Sequence, residues 1–117
     1  MRRASSFILN ELSQTERLEF LVNNPLATLT DQFIKERAFL KNVSPKTLIW
    51  YRTAFANFSQ SFPDSEPPSL PTKSTLQRFV VALRERNLKP VTCNTYIGAV
   101  NAFCLWLHEE GHVDTWP

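Results

Sequence analysis

Glycine is nearly absent from this sequence: Gly98 and Gly111 are the two in 117 residues, against eight prolines. So few residues that accept positive φ exclude a β-sandwich or barrel with its many tight turns. The two glycines stand alone, which also excludes a P-loop or a G-x-G-x-x-G fingerprint. Long apolar runs are missing too. The run Phe7-Ile8-Leu9 is broken by Asn10 and Glu11, too short for the core of a signal peptide. Nothing approaches the roughly 18 apolar residues of a membrane span. Cysteine is scarce: Cys93 and Cys104 fall on one expected helix, about 16 Å apart at 1.5 Å per residue, too far to bridge. With no second pair there is no zinc pattern. The expectation is a protein of the cytoplasm with two buried thiols, no membrane partner and no small-molecule ligand.

What is present is apolar and aromatic. About 43% of the residues are hydrophobic and nine are phenylalanine, enough for one domain to bury a core without staples. The net charge is +2, too small to announce a polyanion binder. Its distribution says more. Residues 30–60 carry +3 and residues 73–90 carry +4, while 61–72 carry −2 and 91–117 carry −3. Local field matters more than net charge for binding a polyanion.

Apolar periodicity predicts four helices. The first follows Thr30 as N-cap and ends near Asn42, with Phe33, Ile34, Ala38 and either Phe39 or Leu40 at helical spacing. The second opens at Ser44-Pro45, a capping residue before a proline at the first helical position. Leu48, Tyr51, Phe55, Phe58 and Phe62 form its stripe. Residues 65–71, with three prolines, read as an exposed linker. The third helix opens near Thr72 or Ser74 and buries Leu76, Phe79, Val80 and Leu83, with Arg78, Arg84, Glu85 and Arg86 on its wet side. The fourth opens at Pro90, carries Tyr96, Val100, Phe103 and Leu107, and is closed by Gly111. Ser13-Gln14-Thr15-Glu16 matches a capping box, so an additional N-terminal helix is expected over 14–22, ended by Pro25.

The second and fourth helices repeat one pattern. Pro45-x-Thr47-x-x-x-Tyr51 returns 45 positions later as Pro90-x-Thr92-x-x-x-Tyr96, and Phe58 falls on Phe103. The chain therefore reads as two helical hairpins, a compact four-helix packing with two equivalent helix starts. A helix start favours phosphate through free N–H groups and the dipole. Lys46 and Lys89 add charge there, with Lys41 and Lys73 at the neighbouring helix ends. Ser44, Thr47 and Thr92 add hydroxyls, which also suit helix capping. The outer faces offer Trp50, Thr53 and Asn57 on one helix and Asn94, Thr95, Gly98 and Asn101 on the other. Amides and hydroxyls suit base edges in a major groove, and lysines at the ends suit phosphates. Trp50 fits that face or a packing role.

Catalytic patterns are lacking: there is no G-x-S-x-G, and the carboxylates fall on polar faces or in the linker. His108 and His112 sit in His-Glu-Glu-Gly-His, which is not the HExxH order of a zinc helix. No metal and no cofactor are expected.

Two stretches then carry a resemblance. The first is Asn42-Val43-Ser44-Pro45-Lys46-Thr47-Leu48-Ile49-Trp50-Tyr51, with Phe55 and Phe58. The second is Leu88-Lys89-Pro90-Val91-Thr92-Cys93-Asn94-Thr95-Tyr96, followed by Ala99-Val100-Asn101-Ala102-Phe103, Trp106-Leu107 and Glu110-Gly111-His112-Val113. In order, over about residues 28–117, they resemble the N-terminal core-binding domain of phage-integrase-type tyrosine recombinases. The resemblance implies an all-α, SAM-like four-helix orthogonal bundle of two hairpins, with the N-terminal helix added. It divides the chain into an extension (1–27), the core-binding domain (28–113) and the start of a linker (114–117) to a catalytic domain. It implies that the domain grips one face of a recombination half-site in double-stranded DNA, with its second and fourth helices toward the major groove. The full recombinase would self-associate on DNA. The family's catalytic residues lie in the C-terminal domain, so no catalytic residue is expected here. The DNA-binding residues expected are Lys41, Ser44, Lys46, Thr47, Trp50, Thr53, Lys73, Lys89, Thr92, Asn94 and Thr95. A helical protein–protein interaction module is the alternative, and a surface shared by Trp50, Trp106 and Trp116 would favour it.

Overall fold

A computed structural model describes residues 25–113. The described residues form four helices and no strand: α1 Pro25–Phe39, α2 Pro45–Gln60, α3 Lys73–Glu85 and α4 Pro90–Glu109. The expected helix over 14–22 lies outside the described residues, as does Trp116.

Local chemistry sets most of the boundaries. Ser44 is extended (φ −67°, ψ 155°), its Oγ accepts the Thr47 N–H, and Pro45 opens α2. Thr72 caps α3 in a reciprocal box, each threonine side chain taking the other's backbone N–H: Thr75 to Thr72 at 3.2 Å, Thr72 to Thr75 at 2.8 Å. Gly111 (φ +76°) ends α4, with its own N–H on the His108 carbonyl and the His112 N–H on that of Leu107. These are the bonds of a left-handed C-terminal cap.

α1 differs from expectation at both ends: Phe39 and Leu40 are both exposed at its close, and its start lies earlier. The helix begins at Pro25, so Thr30 is interior rather than a cap. Its Oγ1 donates to the carbonyls of Leu26 and Ala27, at 2.9 and 3.2 Å. That back-bonding lets threonine sit inside a helix. Pro25 accordingly opens a helix, where its missing N–H costs nothing.

The repeat runs deeper than the proline pattern. Asn42 (φ 52°) and Asn87 (φ 57°) are the two non-glycine residues of positive φ among those described, and they stand 45 positions apart. Asparagine is among the few side chains that tolerate this region. Each follows the first helix of a hairpin and precedes the proline by three residues. The Val43 N–H reaches back to the Arg37 carbonyl at 3.1 Å, and that of Asn87 to Arg84 at 3.0 Å.

The hairpins α1–α2 and α3–α4 join chiefly through α2 against α4. Phe33, fully buried on α1, is the hub of the core. Its ring meets Tyr51 and Phe55 of α2 at 5.0 and 5.8 Å, and Phe103 and Trp106 of α4 at 5.6 Å each, all edge to face. Such pairs add about 0.5–1.5 kcal/mol each beyond area burial. Phe58 carries the core outward to Phe62 and to Phe79 of α3, at 5.3 and 5.4 Å.

α3 departs from its expected face. Thr75, Phe79 and Leu83 are buried, whereas Leu76 and Val80 are half-exposed. These two line an open groove of about 410 Å³ with Val81, Ile97 and Val100, and with Lys73, Gln77 and Asn101 at the polar positions. Arg78 is not wholly on the wet side. Its guanidinium lies 4.9 Å from the Phe62 ring centre and forks onto Glu66 at 3.1 and 3.3 Å. The proline-rich linker is thereby tied down, and its Pro71 is buried. No described helix is long and apolar enough to cross a membrane.

Candidate nucleic-acid interface

α2 and α4 bury matching sides. Ala54 and Ala99 are fully buried, as are Phe58 and Phe103 at the paired positions. Phe55 meets Phe103 across the helix pair at 5.1 Å. The opposite sides must then match as well. On α2, Lys46, Ile49, Thr53, Ala56 and Gln60 are all exposed and lie within about 80° of one another at 3.6 residues per turn. Their counterparts 45 positions on are Val91, Asn94, Gly98, Asn101 and Leu105, all exposed too. Two equivalent outward stripes therefore run along the two helices.

The stripes carry no negative charge of their own. No carboxylate occurs between Glu36 and Asp64 or between Glu85 and Glu109, and these intervals contain all of α2 and α4 except the final Glu109. Arg37, Lys41, Lys46 and Arg52 fall in the first interval, and Arg86 and Lys89 in the second. Lys41, Lys46, Arg52, Arg86 and Lys89 are exposed.

The two helix starts, equivalent by repeat, are capped differently. At α2, Ser44 Oγ accepts the Thr47 N–H at 3.2 Å and lies 3.0 Å from Thr47 Oγ1, so both hydroxyls serve the cap. At α4, Lys89 is the N-cap residue and no side chain caps the start. The Thr92 N–H turns back to the Lys89 carbonyl at 3.0 Å, and Thr92 is half-buried.

The other expected contacts divide into those on the stripes and those off them. Thr53 and Thr95 are exposed, and each hydroxyl donates to the carbonyl four residues back, Ile49 and Val91, at 2.9 and 2.8 Å. The oxygen lone pairs remain to accept from a base amine. Asn94 is exposed on the α4 stripe. Asn57 is engaged within the fold: its Nδ2 donates to the Thr53 carbonyl at 2.9 Å and its Oδ1 accepts from Arg86 at the end of α3. Trp50 is half-buried, its ring 4.9 Å from that of Tyr51. Its Nε1 is buried with no partner among the described residues.

Lys73 stands apart. It opens α3 and lines the α3–α4 groove beside Asn101. The thirteen residues of α3, about 20 Å of helix, separate it from the end that leads to Lys89. The sequence pattern grouped the two by charge, but they stand at opposite ends of α3. The exposed Ile49 and Arg52 were not among the expected contacts. The repeat held the signal for Ile49, whose counterpart is Asn94.

The other chemistry-bearing groups are structural. Trp106 is buried, and its Nε1 donates to Glu36 Oε1 of α1 at 3.2 Å. It thus shares no outer surface with Trp50. Both cysteines are buried and free. Among the described residues no group of three or more His, Cys, Asp or Glu is placed to hold a metal ion.

Comparison with curated proteins and with solved structures gives no match. Comparison with family models does: residues 30–111 match the phage integrase N-terminal SAM-like domain. That interval takes in most of α1, all of α2, α3 and α4, and both asparagine turns. The chain therefore belongs to the phage integrase N-terminal SAM-like domain family.

Proposed function

We propose that this domain binds duplex DNA and positions a site-specific tyrosine recombinase on its recombination half-site, for integration or excision. One observation carries the reading: α2 and α4 present equivalent exposed stripes, free of carboxylates almost throughout, with lysine at each helix start. A polyanion meets no carboxylate among the five stripe residues of either helix. Lys41, Lys46 and Lys89 supply phosphate contacts and Asn94, Thr95 and Thr53 supply base-edge contacts. Arg52 joins the phosphate contacts. Strand cleavage belongs, in this reading, to a separate C-terminal domain, and self-association on DNA to the whole recombinase.

NMR titration with duplex tests it. Shifts are expected at Lys46, Ile49, Asn94, Thr95 and Gly98; shifts confined to the acidic end around Glu109 and Glu110 would overturn the reading. Lys46→Ala should weaken binding to all sequences alike and lower the salt slope by about one. Asn94→Ala should relax a preference at one base pair, worth about 1–3 kcal/mol of discrimination.

The α3–α4 groove favours a second reading, a helical protein-interaction module. Leu76, Val80, Val81 and Ile97 line it, and an apolar recess of this kind suits a partner protein. Titration shifts confined to these residues would favour that alternative.

A further inference from the structure

We propose that Gly98 is the point where α4 comes closest to the DNA duplex, and that its missing side chain sets how deeply the helix seats. This rests on the DNA-binding reading above. Gly98 is the third of the five residues in the α4 stripe, one turn from both Asn94 and Asn101, and it is exposed. Among the described residues nothing calls for glycine there. Its φ is not positive, since Gly111 is the glycine with that geometry. A Cβ built on Gly98 meets no atom of the described residues within 4 Å, so none of α1, α2 and α3 requires the space. Mid-helix glycine is costly relative to alanine, through backbone freedom lost on folding. The fold thus carries a destabilising residue for which its own packing offers no return.

The duplication supplies an internal comparison. The equivalent position on α2 is Thr53, exposed at the same place in its stripe. One helix tolerates a branched side chain at the centre of its outer face; the other has none. The neighbours of Gly98 are short and neutral, with Asn94, Thr95 and Asn101 within one turn on the exposed side. A helix lowered at Gly98 brings these amides and the hydroxyl to the base edges, where contacts depend on a few tenths of an ångström.

Stability and binding should therefore respond in opposite directions to one added methyl. The test uses the 117-residue chain and a labelled duplex selected by the wild type from a random pool. Gly98→Ala is expected to melt about 4 °C higher and to bind that duplex about tenfold more weakly. Gly98→Ser should weaken binding at least as much. Full affinity in Gly98→Ala with the higher melting point would overturn the proposal and leave the DNA-binding reading intact. Weaker binding with a lower melting point would also overturn it, because the methyl would then be harming the fold. Failure of the wild type to select any duplex would overturn both. Unchanged DNA affinity with altered self-association would move the close approach to a protein surface and overturn the proposal too.

Discussion

Cys104 is a thiol held away from water. It lies on α4, 1% exposed, and burial pushes it up from its ordinary 9.0 to about 11. The folded chain keeps this proton at pH values where the unfolded chain gives it up. Its contribution to stability is therefore complete below about pH 9 and is lost as pH rises toward 11. Urea midpoints should fall over that interval, and the fall should be smaller in Cys104→Val. Equal alkaline slopes in the two proteins would count against the burial argument. At neutral pH the same protonation makes the thiol a poor nucleophile, so alkylation should await unfolding.

Among the elements, the unequal caps give the sharpest contrast. Ser44 caps α2 with its hydroxyl, and Lys89 leaves α4 without a side-chain cap. Ser44→Ala should cost about 1 kcal/mol, whereas Lys89→Ala should leave stability within about 0.5 kcal/mol of the wild type; urea unfolding measures both. The helix ends that could be read directly from sequence were those where one residue type settles the geometry: Ser44-Pro45, Pro90 and Gly111. Thr30 was misread because a threonine hydroxyl satisfies a cap and an interior carbonyl equally well, and only the backbone before it decides. Asn42 and Asn87 were legible in principle, since both stand three residues before the repeated proline. Their significance lies in a φ value, which asparagine permits but does not demand. The proposed interface was half legible on the same grounds. Residue type and period marked Lys46, Asn94 and Thr95 as outward, and the length of α3 already separates Lys73 from Lys89, while the loss of Asn57 to Arg86 depends on how the hairpins dock.

At the scale of the whole molecule, duplication supplies the architecture and burial breaks its symmetry. At the repeat's 45-residue offset Ile34 of α1 falls on Phe79 of α3, and both are buried. Phe33, the hub, falls instead on Arg78, which is half-exposed. Period alone names a face; it does not say how wide a neighbour covers it. The Phe33 hub binds α1, α2 and α4 into one aromatic core, while α3 contributes Phe79 and Leu83 to its margin.

That margin has a kinetic meaning. Cooperative units held by fewer buried contacts open at lower free energy than the centre of a fold. Amide hydrogens in the middle of α3, around Phe79 and Val80, should exchange with deuterium faster than those around Phe55 in α2 and Phe103 in α4. The α3–α4 groove is then the seam along which this bundle comes apart first, leaving α1, α2 and α4 closed around Phe33.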